Sequence, residues 1–190
     1  FKSITESSHS QRWHFLFGLM NIALIGPSGA GKGTHVPLLV DRFNLVHIST
    51  GDLFRDNLHK ETKLGLAAKT YLARGDMVPD DLVDSMIENR LAQVPSDKGA
   101  LLDGFPRTLT QARFLERIFR ASGRTLAALI YLHIPDQEIV ARLAGRRVCR
   151  KCHAPFHDKT HPFVTCPEAS CAEEHLFRRT DDHPEILSIR

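Results

Sequence analysis

Long apolar runs are missing from this 190-residue chain, and none reaches the length that would carry a helix across a bilayer. Charge of one sign is scarce as well. A formal net charge of +3 gives no electrostatic case for bulk binding to nucleic acid or to an anionic membrane. There is also no basic or aromatic stripe on which bases could stack. Internal repeats and low-complexity tracts are absent too. These absences leave a globular chain long enough for one domain with a sizeable core, or for one core carrying small insertions. Arginine outnumbers lysine by about two to one, and the guanidinium is the better bidentate grip on phosphate.

The most informative stretch runs Ile22-Ala-Leu-Ile-Gly26-Pro-Ser-Gly29-Ala30-Gly31-Lys32-Gly33-Thr34. Its apolar start reads as a short buried strand, and the glycines that follow let the backbone wrap closely round an anion. Successive N–H groups in such a loop point inward, and a helix starting near Lys32 adds its positive end. Gly26-x4-Gly31-Lys32 is the P-loop pattern, with Lys32 placed to reach β- and γ-phosphate oxygens. Gly33 stands where many such loops carry a magnesium-binding Ser or Thr, and Thr34 follows. Gly-Lys-Gly-Thr resembles the loop of the nucleoside monophosphate kinases, the adenylate kinase family in particular. That resemblance implies ATP binding by Gly29, Ala30, Gly31, Lys32, Gly33 and Thr34.

Downstream, a helix is expected to about Phe43, with Val36, Leu38, Leu39 and Val40 mostly on the sheet side and Pro37 inside it. Leu45 to Ile48 reads as a second strand leading into Ser49-Thr50-Gly51-Asp52-Leu53-Phe54-Arg55, which has the chemistry of a helix start. Residues 56 to 74 read as short helices, and Pro79-Asp80-Asp81 opens another with Leu82, Met86, Ile87 and Leu91 on its apolar face. Ala100 to Asp103 is a buried strand ending in an acid, which in an open parallel sheet lies near the ligand crevice. Such a carboxylate suits Mg²⁺, which keeps several of its waters. Gln111 to Ala121 is expected as helix, Ala127 to Ile134 as a fourth strand, and Pro135 onward as a helix toward Arg142 and Arg146. Alternating strands and helices imply an α/β fold with a parallel sheet.

The phrase Asp103-Gly104-Phe-Pro-Arg107-Thr-Leu-Thr-Gln111 is similar to the adenylate kinase signature. The resemblance implies Arg55 and Arg107 on the AMP phosphate, with Thr50, Gly51, Met77, Val78 and Gly104 lining the AMP site. It also implies Gln111 on the adenine edge. An amide offers adenine a donor and an acceptor, and the pyrimidine monophosphate kinases tend to carry Asn at this place.

All four cysteines cluster as Cys149-x2-Cys152 and Cys166-x4-Cys171. Two close thiol pairs are the arithmetic of a tetrahedral structural Zn²⁺ site, with two disulfides as the rival reading. His153, His157, His161 and His175 are candidate substitutes for one thiol. Residues 145 to 180 hold few large apolar groups, so metal would have to supply folding free energy there, roughly 10 kcal/mol or more. The block resembles the zinc-bearing lid of long-form adenylate kinases. That likeness implies Arg142 against the ATP adenine and Arg146, Arg179 and Arg190 on phosphates. Arg147 and Arg178 stand one place off in register.

Taken together, the resemblance implies a P-loop kinase core (20–48, 79–141 and 183–190) with an AMP-binding helical insertion (49–78) and a four-cysteine lid (142–182). It implies reversible transfer from ATP to AMP giving two ADP, with Lys32, Asp103, Arg107, Arg146, Arg179 and Arg190 at the reacting groups. Mg²⁺ with ATP, structural Zn²⁺, a cytoplasmic monomer and no nucleic-acid or membrane partner complete the expectation. Residues 1–19 read as a tail or upstream translation, with Met20 as the family's start. Compared with the family, the chain stops at Arg190 before a final strand and closing helix, which predicts an uncovered sheet edge and puts activity in question. The alternatives are a kinase for another nucleoside monophosphate, an inactive nucleotide-binding fragment or, more remotely, a zinc-ribbon nucleic-acid binding protein.

Overall fold

The computed structural model describes residues 19–74, 76–152, 154–165 and 171–178, with backbone alone for 72–74. Cys166, His153, Arg179, Arg190 and the segment 183–190 lie outside the described residues. The chain divides into two compact units. One takes in the described residues up to Gly26 together with His35–Leu132, the other Pro27–Thr34 together with the described residues from His133 onward.

The first unit is built on four strands: β1 (Met20–Ile25), β2 (Leu45–Ser49), β3 (Gly99–Asp103) and β4 (Thr125–Tyr131). Their order is β2-β3-β1-β4, and every pairing is parallel. Right-handed helical crossovers are what allow neighbours to run parallel. The crossovers here carry α1 (Lys32–Phe43), α2 (Thr50–His59), α3 (Lys63–Arg74), α4 (Asp80–Leu91) and α5 (Leu109–Ala121). The sheet's two faces bury different sets. Ala23, Ile48, Ala100 and Leu102 join Met86, Ile87, Phe105, Leu115 and Phe119 in the larger core, which also takes Ala68 and Val78 from the helical insertion. Ile22, Leu24, Leu45 and Leu101 pack against Val36, with Leu39, Val40 and Phe43 partly buried beside them.

Two expectations are corrected in detail. Leu38 is not on the sheet side: it is 67% exposed. Positions 36, 39, 40 and 43 form one helical stripe, and 38 falls nearly opposite it at 100° per residue. The fourth strand runs Thr125–Tyr131 rather than Ala127–Ile134, because its ladder with β1 begins at Met20↔Thr125. Leu132 N–H then donates to Ile25 O at 2.9 Å, ending the pairing. Among the described residues β4 is an edge strand, and its Leu126, Leu129 and Tyr131 are exposed.

At the amino end of the sheet sits a fully buried polar residue, Asn21. Its Nδ2 donates to Thr125 O at 2.9 Å and to Leu19 O at 3.3 Å, while its Oδ1 accepts from Ala100 N–H at 3.0 Å and from Arg124 at 3.3 Å. One side chain therefore ties β1 to both neighbours where the β1–β4 register shifts.

The second unit holds the loop 27–34, helix α6 (Asp136–Ala144) and a small antiparallel sheet. Its strands are β5 (Arg146–Cys149), β6 (Pro155–His157) and β7 (Leu176–Phe177), in the order β6-β5-β7. Beside the small sheet lies a cluster of Phe156 and Cys149, with Cys152, Ala154, Phe163, Cys171 and Leu176 around them, and Leu143 and Val148 are also buried in this unit. Phe156 meets Phe163 edge-on at 5.1 Å and stacks on His161 at 5.6 Å.

Candidate functional site

In the first unit, the carboxyl ends of β2 and β3 lie in register at Ser49↔Asp103. Ser49 caps α2 by accepting from Asp52 N–H at 3.3 Å, which frees Thr50 to begin the helix against β3. The Thr50 hydroxyl is 3.4 Å from both the Asp103 and Gly104 carbonyls. Gly104 takes φ 78°, and a Cβ there would come within 3.0 Å of the Thr50 oxygen and 3.2 Å of Arg107 Nη2. A side chain would also strain a left-handed backbone. The Arg107 guanidinium curls onto this corner, its Nε donating to Gly104 O at 2.9 Å.

Arg55 approaches from the α2 side. A Cβ at Gly51 would stand 3.2 Å from its Nη1, so the bare glycine admits the guanidinium over the helix start. Arg55 forms an ion pair with Asp52. Burial works to raise the Asp52 carboxyl, yet Arg55, Ser49 and His47 together hold it below the ordinary carboxylate range. Thr50, Gly51, Arg55, Gly104 and Arg107 are thus gathered at one corner. Asp103 presents its carboxylate beside them, 13% exposed, with Oδ2 at 3.4 Å from His47 Nε2.

Gln111 sits in the first turn of α5 at 1% exposure. Its Oε1 accepts from Arg107 N–H at 2.7 Å and its Nε2 donates to Asp80 Oδ1 at 2.6 Å. Val78 is a core residue, whereas Met77 is 59% exposed.

In the second unit, Ala30 N–H donates to Pro27 O at 3.2 Å and Thr34 N–H to Gly31 O at 3.0 Å, closing the glycine loop on itself. Gly29 takes φ 83°, and a Cβ on it would lie 3.1 Å from the Leu143 side chain. Lys32 folds its Nζ onto Pro27 O at 3.0 Å, and Gly33 opens the helix into clear space. Arg142, on α6, reaches the same loop, with Nη1 at 3.5 Å from Gly29 O.

Along β5, side chains alternate, so Arg146 and Arg147 face opposite ways. Arg147 grips Asp158 with two contacts of 3.1 and 3.3 Å and holds that carboxyl below its ordinary range. Arg178 donates to Ala144 O. The sulfurs of Cys149, Cys152 and Cys171 lie within 4.8 Å of one another. Backbone N–H of Cys152 is the largest influence on Cys149. Against desolvation, and with Lys151 N–H and the other two thiols, it brings that thiol down to about 6. Thiolate is the metal-binding form, so the donor set fits a soft or borderline cation such as Zn²⁺. Of the candidate imidazoles, His157 Nδ1 accepts from Lys159 and Thr160 N–H, and His175 Nδ1 accepts from Ala172 N–H.

His47 and Asp80 shape the first of these corners without having been marked as site residues by the sequence, and Asn21 ties the opposite end of the sheet. A polar side chain inside the apolar run Met20 to Ile25 is the one sequence signal that could have marked Asn21.

A parallel α/β sheet whose first strand runs into a glycine loop closed by a lysine and a helix defines a P-loop kinase core, and two arginines gathered at neighbouring strand ends suit a phosphotransferase. The family model described as adenylate kinase matches residues 24–190. The chain is 43% identical to an adenylate kinase of Carboxydothermus hydrogenoformans over 171 residues, covering 90% of this chain and 80% of that protein. Similar matches are an adenylate kinase of Enterococcus faecalis, 41% identical over 174 residues, and one of Symbiobacterium thermophilum, 43% over 171. They cover 90% of this chain and 80% and 79% of those proteins. The chain belongs to the adenylate kinase family and is a nucleoside monophosphate kinase.

Proposed function

We propose that this chain transfers the γ-phosphoryl group of ATP to AMP, reversibly, giving two ADP. The observation that carries the acceptor half is the pair Arg55 and Arg107 converging on the corner made by Gly51, Thr50 and Gly104. Two guanidiniums beside a strand end suit a dianionic 5′-phosphate. The buried Gln111 amide beneath them supports a purine with a 6-amino group.

In the reaction an AMP phosphate oxygen forms a bond to the γ-phosphorus while the bond from that phosphorus to the β–γ bridging oxygen breaks. The leaving group is ADP, and the product is a second ADP. The work is positioning and charge stabilisation, since such a transfer needs little covalent chemistry from the protein. Lys32 and the N–H groups of Gly29 to Thr34 hold the donor phosphates, and Arg142 lies over the donor base. Arg55 and Arg107 hold the acceptor. Arg146, with Arg179 and Arg190, closes over the transferring group and excludes water. The Asp103 carboxylate has the oxygen chemistry of a magnesium site and would hold Mg²⁺, which would neutralise donor phosphate charge when bound. Cys149, Cys152, Cys171 and Cys166 hold structural Zn²⁺, which supplies folding free energy to a segment with little core.

Segments 49–78 and 142–182 are the parts assigned to move. A P-loop kinase core and a thiol cluster with metal-ligand spacing support a reducing, cytoplasmic setting, and no helix among the described residues is long and apolar enough to cross a membrane. A monomer suffices for this chemistry.

The test is ADP formation from ATP and Mg²⁺ with AMP, GMP, CMP or UMP as acceptor. Turnover with AMP well above the others is expected. Preference for CMP or UMP, or no turnover with any acceptor, would overturn the assignment.

A further inference from the structure

The Gln111 amide has one way to sit. Asp80, in the first turn of α4, places Oδ1 2.6 Å from Nε2, and a carboxylate accepts only. Arg107 places its backbone N–H 2.7 Å from Oε1, and a backbone N–H donates only. Turning the amide over would set oxygen against oxygen and NH₂ against N–H. At 1% exposure, water could replace neither bond.

Asp80 is itself held. The Thr108 hydroxyl donates to its Oδ2 at 2.7 Å, and the same hydroxyl caps α5 by accepting from Gln111 N–H at 3.1 Å. Asp80, Thr108 and Gln111 therefore close a small ring joining the starts of α4 and α5. The ring leaves the amide with one further N–H on Nε2 and one further lone pair on Oε1. Base entry requires the side chains over the amide to part.

Adenine presents an acceptor at N1 and a donor at N6, which complements that fixed edge. A 6-oxo purine presents the inverse, an acceptor at O6 and a donor at N1. We infer that Asp80 is the positioning residue for acceptor-base specificity: by holding Gln111 in one orientation it makes the acceptor site select a 6-amino purine nucleotide over a 6-oxo one. This inference rests on the AMP-acceptor reading above.

The test is equilibrium binding of AMP and of inosine 5′-monophosphate by calorimetry, on the unaltered chain and on Asp80→Asn. Asparagine keeps the size but both donates and accepts, so it removes the carboxylate's half of the constraint and leaves the Arg107 N–H alone to oppose the turned amide. The unaltered chain is expected to favour AMP by about 100-fold, and the variant by about tenfold or less, since a misread polar edge is what such sites reject. A purely structural role would weaken both nucleotides by one factor and keep the ratio, and that result overturns the inference. An unaltered chain that fails to prefer AMP overturns the acceptor reading itself, and the inference with it. Asp80→Ser is the second variant, with the same expected loss of ratio, and circular dichroism melts check both folds. If neither variant folds, Asp80 is a residue of the fold and the inference fails.

Discussion

The Thr50 hydroxyl and the Gly104 carbonyl lie 3.4 Å apart, joining the helix start after β2 to the turn after β3 with the Arg107 guanidinium against the same turn. A methyl group on Gly104 would press on both at φ 78°. Gly104→Ala is therefore expected to lower stability by about 1–2 kcal/mol through backbone strain. It should also raise the KM for AMP about tenfold and leave the KM for ATP unchanged. Urea denaturation and steady-state kinetics check the two parts separately.

Asn21 links strands across a sequence separation of 79 residues through Ala100 N–H. Asn21→Leu leaves that N–H without its buried acceptor and the Thr125 carbonyl without its side-chain donor, so a loss of about 2–3 kcal/mol is expected in chemical denaturation. A change under about 0.5 kcal/mol would contradict the role assigned to it.

Asp84 gives a pH dependence. Burial, then its neighbours Asp80, Asp81 and Glu88, raise its carboxyl from 3.8 to about 6, with Arg117 opposing. Between those values the folded state binds more protons than the unfolded one, so this group's contribution falls as pH rises. Its burden is absent below about pH 4 and complete above about pH 6. Asp84→Asn should stabilise the chain by about 1–2 kcal/mol at pH 8 and by little at pH 4. Urea midpoints at the two pH values measure it.

The thiol cluster predicts about one zinc per chain by atomic absorption. Removing it with a strong chelator should increase proteolytic cutting within residues 145–178, because that segment has only the small core around Phe156. Cys149→Ser should reproduce the effect, and unchanged proteolysis after demetallation would count against a structural metal.

Arg146 and Arg147 separate two registers. Arg147 is engaged with Asp158, so Arg147→Ala should leave kcat within about threefold, as is usual for an exposed ion pair. Arg146→Ala should lower kcat by about 100-fold if it stabilises the transferring group. The reverse result would move the catalytic register by one residue.

Structure that is local in the chain was legible from it. The glycine loop with Lys32, the strand–helix alternation and the closeness of Cys149 to Cys152 each depend on spacings of a few residues, and those spacings fix which groups a turn or strand end presents. Position along a single helix was harder to read: Leu38 was placed inward on hydrophobicity, and the stripe made by Val36, Leu39, Val40 and Phe43 turned it outward.

The sequence by itself determined the family, the glycine loop ending on Lys32 and the residue types available to the site. Only the tertiary structure decided which of those groups already have partners. It joined Gln111 to Asp80 across 31 residues, Arg147 to Asp158, and Asn21 to two neighbouring strands. The reason is physical: a buried polar group must find a partner wherever packing brings one, and packing is a property of the folded chain rather than of any spacing along it.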